Sequence, residues 1–271
     1  MVDINHLTLS YTPSEQEHRY GDKIHLLSQP FLQSLLARLC DQTTGQPAIN
    51  WIVEHLYQEL AAVVVNAEFE QLQTRINTRM IDHNPEGVFE GDIVDPDSRV
   101  VLVDLARAGM LPSFVALEYF NHVLNPRHVR LDHIFINRAV NEANEVIGTH
   151  MAGHKIGGDI EGAMVLFPDP MGATGGSMCD AVNVYKSTIS GTAKKLIALH
   201  LIITPEYVHR VTAEHPDLIV YALRLDRGLS DDEVLASVPG AYPGREKGLN
   251  EHQYIVPGAG GLGEIINNSY V

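Results

Sequence analysis

The chain has 271 residues, 45% of them hydrophobic and 20% charged, with a formal net charge of −15. This is the composition of a globular protein, and the acidic balance argues against nucleic acid or an anionic membrane surface as partner. No apolar run reaches the roughly 18 residues of a membrane span, segment 1–20 is too polar for a signal peptide, and Cys40 and Cys179 lack metal spacing, so they are expected to be reduced thiols of a cytoplasmic protein.

Residues 1–21 read as an arm ahead of one domain, 22–271. Leu32, Leu35, Leu36 and Leu39 recur at helical spacing over 31–40. Trp51, Ile52, His55, Leu56, Leu60 and Val63 repeat the pattern over 50–67. These apolar faces fit core or an oligomer contact. Alternation follows: strand 100–105, helix 112–123, strand 129–137, strand 163–167, helix 178–190 and strand 196–203. Thr204 as N-cap and Pro205 in the first turn open a helix to about 214. A strand at 218–223 closes the series. Strands alternating with helices predict an α/β fold, a parallel sheet flanked by helices, with ligands beyond the carboxyl ends of the strands. Two stretches break the rhythm. The Gly-rich segment 141–162 reads as part of a lid loop spanning about 139–162. Segment 229–247, with two Pro-Gly pairs, reads as an insertion.

The most informative stretch is Asp169-Pro170-Met171-Gly172-Ala173-Thr174-Gly175-Gly176-Ser177, between a buried strand and a helix. Such a loop turns backbone N–H groups and the Thr174 and Ser177 hydroxyls toward one point. The helix start adds partial positive charge there, and the glycines let the main chain form an anion-holding nest. The ligand this favours is a phosphate on a small metabolite. The loop lacks the Gly-Lys-Ser/Thr ending of a P-loop. Gly258 to Gly263 fits G-x-G-x-x-G, but only eight residues follow, too few for a dinucleotide fold. His150 and His154 have ligand-like spacing without a third ligand, so no metal site is read in the protein itself.

With Asp169, this loop resembles the ribose-5-phosphate loop of type I phosphoribosyltransferases. Gly248-Leu249-Asn250-Glu251-His252-Gln253-Tyr254-Ile255-Val256-Pro257-Gly258 resembles the C-terminal signature of the uracil phosphoribosyltransferase family. Arg107-Ala108-Gly109-Met110 is similar to that family's pyrophosphate loop. The resemblance implies a type I phosphoribosyltransferase fold with N-terminal helices and a C-terminal hood. It implies transfer from phosphoribosyl pyrophosphate, bound with Mg2+, to uracil, giving UMP in pyrimidine salvage, by a homodimer or higher homo-oligomer. Phosphoribosyl pyrophosphate would meet Arg107, Arg138 and the whole loop from Asp169 to Ser177. Arg107 and Asp169 would be catalytic. Tyr254, Ile255, Gly260, Gly261 and Leu262 would hold uracil through the main chain.

The chain departs from the family pattern at three places. Ala259-Gly260-Gly261-Leu262-Gly263-Glu264 stands where Leu-Gly-Asp-Ala-Gly-Asp is usual, so Gly261 replaces an acid that contacts the phosphoribosyl substrate. His150-Met151-Ala152 lacks the family's Pro-Tyr-Phe, and the 229–247 connection is longer. These departures keep two alternatives open: transfer to another base, and a paralogue that binds uracil, UMP or phosphoribosyl pyrophosphate as a regulator.

Overall fold

The computed structural model describes residues 3, 5, 9–140 and 146–270, and side chains outside 137–150. A central sheet runs in the order β1 (Ile24–Leu26), β10 (Leu218–Leu225), β9 (Lys195–Ile203), β7 (Met164–Pro168), β4 (Val100–Ala106), β5 (Val129–Val140) and β6 (Val146–Lys155). All neighbours are parallel except β5 and β6. The short β8 (Met171–Gly172) pairs with β9. A separate hairpin joins β2 (Gln71–Asn77) to β3 (Val88–Val94).

Parallel strands covered on both faces must be apolar on both. Along β4, Val100 and Leu102 pack into one core, and Val101, Val103 and Leu105 into the other. The first core is completed by α1 (Pro30–Cys40), α2 (Ala48–Glu68) and α3 (Met110–Val123). In α2, Ile52, Leu56 and Leu60 are fully buried, each worth roughly 1.5–3 kcal/mol by area. The second core is completed by α4 (Gly176–Ser187) and α5 (Pro205–Glu214). The α/β architecture expected from the alternation is therefore present. Thr204 caps α5 through the Tyr207 N–H at 3.0 Å, and Pro205 opens it.

Two segments differ from expectation. The stretch expected as a lid loop carries β6, an edge strand in register with β5 from His133↔Lys155 to Val140↔Val146. An edge strand is wetted on one side and tolerates Gly and Lys, so the apolar alternation that marks a buried strand is weak there. Of this strand, Met151 packs toward the second core, and 141–145 lie outside the described residues. The β2–β3 hairpin is not legible in the sequence. Its alternating Leu72 and Ile76 are exposed, so the pattern has no covering layer to announce it.

Candidate active site

A cleft of about 470 Å3 opens beyond the carboxyl ends of β4, β7 and β8, a size typical of small-molecule sites. Its walls come from four separate stretches: Leu105–Ala108, Asp169 to Ser177, Ile136 on β5, and the C-terminal hood at Gln253–Ile255 and Gly260–Glu264.

Of the expected phosphate loop, Asp169, Met171, Ala173 and Ser177 face the cleft. Pro170 and Gly172 are buried behind them. Gly175 is the N-cap of α4 at φ 79°, a left-handed conformation that glycine adopts without strain. It offers no side-chain cap, and no acid stands in the first turn, so the positive helix end meets the loop unneutralised. The Thr174 hydroxyl accepts the Gly176 N–H at 3.4 Å. Gly175 and Gly176 build the turn, while the half-buried Ser177 lines the cleft.

Asp169 is half-buried, and its N–H is bonded to the Leu199 carbonyl at 3.0 Å. Burial first, and the nearby Asp169 charge second, raise the Tyr57 and Tyr207 phenols well above their usual range. Both phenols therefore stay protonated beneath the carboxylate.

Arg107 is exposed at the opposite wall. Its guanidinium donates to the Ser269 carbonyl and hydroxyl, each at 3.2 Å, and the Asn267 amide donates to the Arg107 carbonyl at 3.4 Å. The C-terminal residues thus hold this loop in place. Arg138 pairs with Thr149 along β5–β6, but its side chain lies outside the described residues, so its expected contact stays untraced.

The hood is fixed from below. Asp226, at the end of β10, is buried and takes Arg224 at 2.6 and 2.8 Å and the Gly258 N–H at 2.7 Å. Glu206, in the first turn of α5, accepts the N–H groups of Gly248 and Leu249 at 3.0 and 3.2 Å. The Asn250 side chain accepts the His252 and Tyr254 N–H groups. Tyr254, Ile255, Gly260 and Gly261, the residues expected to meet the base, line the cleft together. Leu262 also touches it but is only 1% exposed, so its bulk is taken up by the core. The His252 ring points to solvent beside Glu251.

Sequence reasoning passed over two features. Glu264 lines the cleft, and its Oε2 lies 2.9 Å from where a Cβ on Gly261 would stand. A carboxylate is therefore present above Gly261, delivered from three residues further on. The second is His200, fully buried in an otherwise apolar strand. A polar group in the middle of a two-sided buried strand demands a partner, and that signal was readable.

A family model described as uracil phosphoribosyltransferase matches residues 26–242. Proteins named uracil phosphoribosyltransferase from Shouchella clausii and Thermus thermophilus are 27% and 28% identical, over 89% and 90% of this chain and 96% and 98% of their own lengths. The solved AQ2163 protein from Aquifex aeolicus shares the fold, with a TM-score of 0.66 at 20% identity over 90% of this chain and 97% of that one. The family model covers most of the chain, including Leu105–Ala108, Ile136 and the loop from Asp169 to Ser177; the chain belongs to the uracil phosphoribosyltransferase family of pentosyltransferases.

Proposed function

We propose that this protein moves the 5-phosphoribosyl group from phosphoribosyl pyrophosphate to uracil, making UMP and pyrophosphate for pyrimidine salvage. The observation that carries the reading is the convergence, on one cleft, of a helix-start phosphate loop, Asp169, Arg107 and a main-chain hood. Breaking the ribosyl C1–oxygen bond needs little nucleophilic help. It needs the reactants held together and the departing charge stabilised. Residues 173–177 take the 5-phosphate. Asp169 takes the ribose hydroxyls, and Arg107 and Arg138 the pyrophosphate. The hood, from Tyr254 and Ile255 to Leu262, presents backbone donors and acceptors to the edge of uracil. A base with the reversed pattern leaves buried groups unpaired and is rejected.

The carboxylates of Asp169 and Glu264 face this cleft, and such oxygen donors suit Mg2+ shared with substrate phosphates. When bound, Mg2+ neutralises charge on the pyrophosphate. Exposed Phe31, Trp51 and Phe114 support a homo-oligomer. Residues 22–271 are taken as one catalytic domain in a cytoplasmic enzyme. Gly261 alone favours a second reading, a regulator that binds without turnover, and the Glu264 carboxylate above it weighs against that. The test is pyrophosphate release with uracil, cytosine, adenine and hypoxanthine in turn. Uracil is expected to be the substrate; release with a purine only would replace the reading.

A further inference from the structure

The floor beneath Asp169 is built in a way that the ladder of the sheet does not require. The Asp169 N–H goes to the Leu199 carbonyl. A regular parallel ladder would then give the Asp169 carbonyl the Leu201 N–H. Instead the N–H groups of Leu201 and Ile202 both go to the Pro170 carbonyl, at 3.1 Å each. The Asp169 carbonyl is met by Nδ1 of His200 at 2.5 Å.

A carbonyl only accepts, so Nδ1 carries the proton. The bare Nε2 then accepts from the Tyr207 hydroxyl at 2.6 Å. Burial pushes the His200 pKa down to about 3, which keeps the ring neutral and this tautomer fixed. Tyr207 is in turn fixed. Its ring meets His200 edge-on at 4.6 Å, and its N–H bonds Thr204. The Thr204 hydroxyl donates to the Ala173 carbonyl at 2.6 Å, and its N–H to Gly172 at 3.1 Å. A Cβ on Gly172 would sit 2.9 Å from the Tyr207 ring, so the loop lies directly on this support.

We propose that His200 is a positioning residue: braced by Tyr207, its imidazole fixes the main chain at Asp169 and sets the direction from which the Asp169 carboxylate meets the ribose. The proposal rests on the phosphoribosyl-transfer reading of the cleft. His200 is fully buried and is not among the residues that line the cleft, so it acts on the reaction chiefly through Asp169, and its removal should be costly when Asp169 is intact and much less so when it is not.

The experiment is a double-mutant cycle of His200→Leu and Asp169→Asn, with His200→Asn alongside and folding checked by thermal melting. His200→Leu is expected to lower kcat by up to about 100-fold, the scale set by a displacement near 1 Å. His200→Asn should recover most of that loss, because its amide N–H stands where Nδ1–H stood. In the Asp169→Asn background, His200→Leu should add little. Additive losses, or no rescue by His200→Asn, overturn the proposal. The same cycle is run on ribose 5-phosphate affinity by calorimetry. A parent without transferase activity but with non-additive ribose 5-phosphate binding overturns the proposed reaction and keeps His200. A parent that neither reacts nor binds overturns both.

Discussion

At Gly261 the chain lacks one of the two acids of the family pattern, and Glu264 keeps a carboxylate at the other, in the cleft. A Cβ at 261 would stand 2.9 Å from Oε2 of Glu264, the movable end of a flexible side chain, and an Asp there would add a second like charge beside the first. Gly261→Asp is therefore expected to lower UMP formation in the parent. The paired change Gly261→Asp with Glu264→Gly should restore it, since one carboxylate again faces the cleft. A gain in rate from Gly261→Asp alone would show that Glu264 does not fill this role. His200 gives a second expectation at this scale. Its pKa is near 6.5 in the unfolded chain and about 3 when folded. Below pH 6.5 the unfolded state binds a proton that the folded state refuses. The folded protein therefore loses roughly 1.4 kcal/mol per pH unit as pH falls toward 3. Urea unfolding at pH 7 and pH 5 should show this loss in the parent and much less of it in His200→Asn. Equal pH dependence in the two would place the imidazole in a wetter site than this one. Most of the cleft was legible at the residue level because Asp169, Ser177 and Arg107 sit in contiguous motifs. His200, Thr204 and Tyr207 were not read as part of it, because their relation to the loop exists only after β9 folds beside β7.

Among elements, the stretches expected as an arm and as an insertion, 1–21 and 229–247, clasp each other. Glu246 is the pin: it takes Arg227 at 2.7 Å, the Tyr20 hydroxyl at 2.5 Å and the Gly240 N–H at 2.8 Å. The Arg19 N–H adds a bond to the Pro239 carbonyl at 2.8 Å. The Arg227 and Glu246 side chains are 10% and 0% exposed. Removing one charge of such a pair leaves the other buried without its partner, at about 3–5 kcal/mol. Glu246→Gln is expected to lower stability by that order in denaturant unfolding, with UMP affinity unchanged. A change below about 1 kcal/mol, the range of exposed pairs, would mean that water reaches this junction. The 229–247 stretch stands out in the sequence by its Pro-Gly pairs, but its dock on Tyr20 does not, because 226 residues separate Tyr20 from Glu246. The β5–β6 pairing was hidden for a different reason. Its edge strand is polar and glycine-bearing, so composition read as a loop what backbone pairing makes a strand.

For the molecule as a whole, a net charge of −15 stands against the phosphate-bearing substrate proposed for the cleft. Among the described residues that line it, Arg107 is the single basic side chain, against two acids, Asp169 and Glu264. On the proposed reading, attraction of phosphate falls to backbone N–H groups, the start of α4 and a cation bound with the substrate. The layer order and the cleft position at the strand ends followed from apolar alternation alone. The face-by-face assignment of helices did not, since periodicity says that a helix is covered and not by which strand. The measurement that reaches the central claim most directly is the initial rate of UMP formation from radiolabelled uracil, phosphoribosyl pyrophosphate and magnesium. It is made for the parent and for Asp169→Asn and Arg107→Ala. The expected result is steady UMP formation by the parent and a fall of about 100-fold or more in each variant, the scale at which lost charge stabilisation acts. Background rates in the parent, with uracil still bound, would contradict the account and leave a binding protein in its place.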